Sequence, residues 1–141
     1  MDAPMSAALH RLDDTNLTVA DPAEDVRGRK VVDKAGEEIG KVEHLVIDDR
    51  EHKVRFLEVG AGGFLGLGET KFLVPVDAIV RLDEDTVCVD QTRERVIGAP
   101  RYDPDLVRER DWEDLYGYYG FAPYWYPGYA PGAFPYFPPP P

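Results

Sequence analysis

From residue 30 to residue 90 the chain turns too often to build anything but a small β fold. Runs of β-branched and aromatic residues are cut by turn signals about every 8 to 12 residues, the spacing of small antiparallel barrels and sandwiches. "KVVD" is followed by "KAGEE", where Gly36 supplies the positive φ of a turn. "IGKVEHLVID" is a long strand, "DREHK" a polar turn, and "VRFLEVGA" the next strand. "KFLVPV", "DAIVRLD", the acidic turn "EDT" and "VCVD" complete the series. "QTRERVIGAP" reads as one short helical turn, with Thr92 as N-cap and Pro100 as stop.

The strands do not keep one alternation. In "IGKVEHLVID", Val42 is apolar on the even phase but Leu45 and Ile47 on the odd, which predicts a bulge. "VRFLEV" places Val54 and Phe56 on one face and Leu57 and Val59 on the other. A strand apolar on both faces needs two covers, one from the barrel interior and one from a helix, the tail or another copy of the chain. A barrel of about 75 residues is marginal alone by surface-to-volume scaling. A homodimer is therefore expected.

Three segments flank this block. Residues 1–24 are polar, acidic and aperiodic, and predict a flexible arm. The barrel is expected over 25–102. Residues 103–116, "DPDLVRERDWEDLY", predict a helix with Asp103 as N-cap, Pro104 at the first position and Gly117 as the C-terminal cap. From 117 to 141 the chain is prolines, glycines, alanines and aromatics without a charge, and residues 116–141 hold eleven of its sixteen aromatic residues. So many prolines forbid helix and ladder, so an extended, solvated, disordered tail is expected.

"GAGGFLGLGET", residues 60–70, invites two readings. As a phosphate loop it has Gly63, Gly68 and Thr70, but Glu69 stands where the phosphate-binding lysine belongs. As a dinucleotide fingerprint it needs a third glycine, and that position is Leu65. Both motifs require a helix behind the loop, and "KFLVPV" is a strand by propensity. The glycines therefore read as a corner between strands. Phe64, Leu65 and Leu67 alternate with them, as apolar side chains that either fold back over the barrel or meet a partner.

The stretch from "DVRGRKVVDKAGEEIG" to "DEDTVCVD" resembles the PRC-barrel family, known from the cytoplasmic domain of the photosynthetic reaction-centre H subunit and from a ribosome maturation factor. The matching features are Gly28, Val31, Asp33, Gly36, Ile39, Gly40, Val42, the pair Asp48 and Asp49, the glycine loop, and "FLVPVDAI" with Pro75. His44 and Val76 depart from the pattern, where an acidic and an aromatic residue are common. The resemblance implies a mainly β fold, a small six-stranded antiparallel barrel without catalytic residues, used as a docking module and often homodimeric.

Little else suggests chemistry. One cysteine leaves no disulfide within the chain and no thiolate set for zinc, and His10, His44 and His52 show no ligand spacing. Cys88, between valines in "TVCVD", reads as a small core residue, His44 as a satisfied core or interface histidine and His52 as exposed. The paired carboxylates sit at turns, where water keeps them ionised. No catalytic residue, metal or cofactor is expected. A net charge of −11 disfavours nucleic acid. Arg27, Arg29, Lys30, Lys34 and Lys41 nevertheless give a local basic bias, so RNA or ribosome association, or a reaction-centre-like assembly role, is the alternative. The first residues lack a signal peptide's basic and apolar regions, and no run of about 18 apolar residues exists to span a bilayer. A cytoplasmic protein is expected. The candidate contact residues are Phe64, Leu65, Leu67, Trp112, Tyr124, Trp125 and Tyr126, with a protein partner favoured, the tail serving docking or self-association, and weak membrane-surface contact by the tail as a further option.

Overall fold

The computed structural model describes residues 9–61, 70–100, 109–130 and 134–135. Its strands are β1 (Leu9–Arg11), β2 (Lys30–Val32), β3 (Glu38–Asp48), β4 (Val54–Ala61), β5 (Thr70–Pro75), β6 (Ile79–Leu82) and β7 (Thr86–Val89). Two helices follow, α1 (Arg93–Ile97) and α2 (Glu109–Tyr119). The strands form one curled sheet in the order β5-β4-β3-β2-β7-β6, with β1 lying beside β3. The fold is the mainly β barrel type expected from the sequence. Its antiparallel character has one exception, because β2 runs parallel to β7 with Val31 opposite Val87.

The expected bulge in β3 is present, and it comes twice. The register with β4 shifts between Val42 and His44 and again between Val46 and Ile47. Each shift swaps the faces of the residues beyond it, so Val42, Leu45, Val46 and Ile47 are all buried despite their mixed phase. At the β2–β3 turn, the Asp33 carboxylate accepts from Ala35 N and Glu37 N at 2.9 Å each. Gly36 sits there at φ 84°, in the left-handed region that glycine enters without strain. His52 closes the β3–β4 turn at φ 55°, half-buried where exposure was expected. Cys88 is buried at 6% exposure, with its Sγ 3.7 Å from the Asp33 carbonyl. Thr92 caps α1 as expected, accepting from Arg95 N at 3.1 Å.

The second cover that β4 requires comes from the same chain. All eight residues of β4 are buried. Phe56 meets Trp112 and Tyr116 of α2 at ring-centroid distances of 5.1 and 4.8 Å. The helix runs past Gly117, its expected cap, and ends at Gly120 (φ 86°), where Phe121 N donates to Tyr116 O. The additional turn carries Tyr119, which is buried and donates its hydroxyl to Leu73 O of β5 at 2.8 Å. Residues 101–108, including Asp103 and Pro104, lie outside the described residues.

Residues 9–24, the described part of the N-terminal segment, differ from the free arm that its composition suggests. Leu9 and Leu12 are buried, and β1 pairs with the end of β3 through Leu9↔Asp48 and Arg11↔Val46. Arg11 also reaches Glu58, which is fully buried, through two nitrogens at 2.8 to 3.1 Å. Polar, aperiodic residues hid this docking because the segment wraps the barrel through single anchors, without a regular face.

Glu24 ends one short 3₁₀ turn, Pro22–Glu24, and its carboxylate accepts from Val54 N at 2.9 Å. Burial holds its pKa above the ordinary value of 4.5, while the Val54 N–H and the Lys53 charge pull the other way. A raised folded-state value means that the folded chain takes up this proton before the unfolded chain does. The contribution of Glu24 to stability is thus complete below the unfolded value and lost as pH rises through the folded one. Glu24→Gln keeps the acceptor oxygen and removes the titration. Urea midpoints should show wild type gaining on E24Q as pH falls from about 7.5 to about 4.5. A difference that does not vary with pH would contradict this assignment.

Candidate interaction site

Beyond α2 the chain crosses back over the barrel as a strap. Residues 121–130 make two turns, closed by Tyr126 N to Pro123 O (3.0 Å) and Tyr129 N to Tyr126 O (3.2 Å). The extended, solvated backbone expected of this composition is therefore not what these residues adopt. Pro123 is buried and Tyr124, Trp125 and Phe121 pack against the core. The reason is aromatic area. Each ring can bury about 150–250 Å², which outweighs the ordering of a proline-stiffened backbone.

The barrel meets the strap with charge. Arg55 is 7% exposed on β4, an unusual residue in a strand buried on both faces. Its Nε donates to Asp48 Oδ2 at 2.8 Å and its Nη2 to Glu51 Oε1 at 2.5 Å. Asp48 is itself fixed, accepting from Arg50 N and Glu51 N. The guanidinium, held in place by these carboxylates, lies 4.0 Å from the centre of the Tyr124 ring. A desolvated cation over an aromatic face is worth about 2 kcal/mol. Trp125 makes T-shaped ring contacts with Tyr116 and Tyr124, at centroid distances of 5.9 and 5.1 Å.

Asp77 forms the other anchor. It lies in the 3₁₀ turn Val76–Ala78 and accepts the Tyr129 hydroxyl at 2.6 Å. Burial raises its pKa, against the hydrogen bond from Tyr129 and the Arg55 charge. Burial also raises the Tyr129 phenol and pushes Tyr124 up to about 12, so both stay protonated near neutrality. Burial, with the nearby Asp77 charge, raises the pKa of the Tyr116 phenol well above its ordinary value, while Arg55 opposes the shift. The Tyr116 hydroxyl is fully buried and has no hydrogen-bond partner among the described residues.

The candidate contact residues thus have different fates. Trp112 is 4% exposed and serves as core, under β4. Tyr124 and Trp125 are turned onto the barrel, while Tyr126 remains 43% exposed and donates to Glu113 Oε2 at 3.3 Å. Phe64, Leu65 and Leu67 lie outside the described residues. Their loop is bounded by a regular hairpin, since Ala61 pairs with Thr70 and β5 is a strand. The helix that both phosphate motifs require does not follow the loop. Arg55, Asp77, Tyr116 and Tyr129 were not singled out from sequence. The available signal was Arg55 itself, a lone cation in a strand with no polar face.

A second feature is an open cleft of about 570 Å³ lined by Asp25, Arg27, Gly28, Arg29, Lys30, Glu38, Lys41, Glu84 and Asp85. Four cations face four carboxylates there. Arg27 is held by Asp25 and Asp13 at 2.7 and 3.0 Å, and Arg29 donates to Asp83 O. His44 is half-buried and shares Asp13 at 2.8 Å. A cleft balanced in this way offers no net attraction to a phosphate backbone.

Among the described residues there is no cluster of His, Cys, Asp and Glu that could hold a metal ion, and no helix is long and apolar enough to cross a membrane. A family model described as PRC-barrel domain matches residues 20–96, more than half of the chain. A search of curated proteins returns no match.

Proposed function

The chain belongs to the PRC-barrel family, and from that premise we propose that it is a non-enzymatic, cytoplasmic docking adaptor that pairs with a second copy of itself. PRC barrels are generally non-catalytic modules, and the observation that carries the reading is how this one uses its buried charges. Glu24, Asp33, Asp48, Arg55 and Glu58 are the buried charged residues among those described. Each has a structural partner: a strand N–H, a turn, an ion pair or several of these. General acid or base work needs a carboxyl with a free face toward substrate, whereas these carboxyls are engaged in holding loops and the N-terminal segment in place.

Contacts with partners then fall to the apolar tip of the glycine loop, Phe64, Leu65 and Leu67, and to the aromatic tail. Protein partners are favoured over membrane because Tyr124 and Trp125 already find apolar cover on the barrel. The balanced cleft weakens the alternative of RNA or ribosome association. Sedimentation velocity at about 100 µM tests the pairing and the role of the loop. Wild type should sediment as a dimer, and Phe64→Ser, Leu65→Ser and Leu67→Ser together should weaken association about tenfold. A monomeric wild type across the accessible range would refute the pairing.

A further inference from the structure

We infer that the barrel face carrying Arg55 and Asp77 is a docking surface for residues 121–129 of a second copy of this chain, a surface that each chain's own strap covers until exchange. The inference deepens the pairing reading and rests on it.

The strap is seated as a peptide ligand is seated. Its backbone hydrogen bonds close its own turns, at Tyr126 N to Pro123 O and Tyr129 N to Tyr126 O. What fastens it to the barrel is a set of side-chain anchors: Tyr124 over Arg55, Tyr129 on Asp77, and Trp125 against Tyr116. Such anchors depend on the segment's chemistry and are indifferent to which chain supplies it. The receiving half is organised without the strap. Asp48 and Glu51 fix the guanidinium plane, and the turn Val76–Ala78 presents Asp77. A preorganised receptor spends little of its binding energy on ordering.

Two further observations favour exchange. The strap joins α2 through Gly120 at φ 86°, a corner that other residues rarely adopt. Rotation at Gly120, beyond the end of α2, redirects the strap without disturbing Tyr116 or Tyr119. The seated strap also leaves the buried Tyr116 hydroxyl without a hydrogen-bond partner among the described residues, a defect that weakens the closed state and narrows its gap to the open one. Exchange of an identical segment replaces each lost contact by the same contact from the neighbour, the low-cost route to a dimer. The tether gives the chain's own strap a fixed effective concentration set by the length of the linker, so exchange rises with protein concentration.

The test uses two full-length variants. One has a damaged receiving face and an intact strap, made as Arg55→Gln and separately as Asp77→Asn, since loss of Arg55 strands the buried Asp48. The other has an intact face and a damaged strap, Tyr124→Ala with Tyr129→Phe. Circular dichroism and a cooperative urea transition establish that each is folded. By sedimentation velocity at about 100 µM, each variant alone should self-associate at least tenfold less than wild type, and an equimolar mixture should recover a heterodimer. A dimeric wild type with variants that dimerise equally well would overturn strap exchange and leave the pairing reading standing. A wild type and mixture that both stay monomeric would overturn both. A synthetic peptide of residues 121–130 provides the second arm, binding the strap-damaged variant at least tenfold more tightly than wild type. If that peptide binds and no heterodimer forms, the face holds only its own chain's strap, and the second copy is refuted as its occupant.

Discussion

Replacing Gly40 by alanine should destabilise the barrel by about 3 kcal/mol, enough to move the urea midpoint down by about 2 M for a domain of this size. A Cβ at position 40 would stand 2.5 Å from Gly60 O, 2.8 Å from Val59 Cγ1 and 3.1 Å from Gly60 C. Two of those atoms are backbone of the neighbouring strand and cannot rotate away. Nor can β3 retreat, because Gly40 is paired on its other edge with Val31. The methyl group forces apart a ladder that holds Lys41 opposite Gly60. Measured against a total stability of about 5–15 kcal/mol, this is a large fraction. Gly117→Ala is the matched control, the same atoms added where nothing lies within 4 Å. In the interior of α2 it should stabilise by up to about 1 kcal/mol, since glycine is the poorer helix former. Equal effects at the two positions would show that the spacing of β3 and β4 is not the constraint described.

The contrast between these glycines marks how far the sequence could be read. Both are glycines in regular elements, and only the three-dimensional approach of β4 distinguishes them. The phase switch from Val42 to Leu45 was legible because a bulge leaves its trace within one strand. The parallel pairing of β2 with β7 was not, because it joins residues 30–32 to 86–88 across a separation that local pattern does not encode. The need for a second cover over β4 was legible, and a helix, the tail or another copy were its possible sources, but the choice among them was not. Trp112, Tyr116 and the strap provide it from within the chain, so an apolar outer face alone is no argument for a second copy. Proline content dominated the reading of the tail. The contest was in fact decided by Arg55 and Asp77, two residues more than forty positions away whose proximity no periodicity reveals.

Arg11→Met should cost about 3–5 kcal/mol, although Arg11 sits in a segment whose composition suggests a dispensable arm. The effect comes from the residue left behind. Glu58 is fully buried in β4, and Arg11 grips both of its carboxylate oxygens. Lys71 stands 3.8 Å from the same carboxylate but is engaged more closely with Glu43. Methionine fills much of the space of the arginine stem and supplies no charge, so the substitution isolates the electrostatic loss from a packing loss. Removing both partners should be far milder. A buried ion pair gains little over apolar side chains of similar volume, because the desolvation of two charges offsets their attraction. Arg11→Met with Glu58→Met should therefore recover most of the stability lost in the single variant, Lys71 keeping Glu43 as its partner. Urea unfolding of wild type, both single variants and the double variant completes the cycle, with a coupling energy of about 2–3 kcal/mol expected. A coupling near zero would mean that β1 is held by Leu9 and Leu12 alone, and that the buried carboxylate of Glu58 is solvated by some other route.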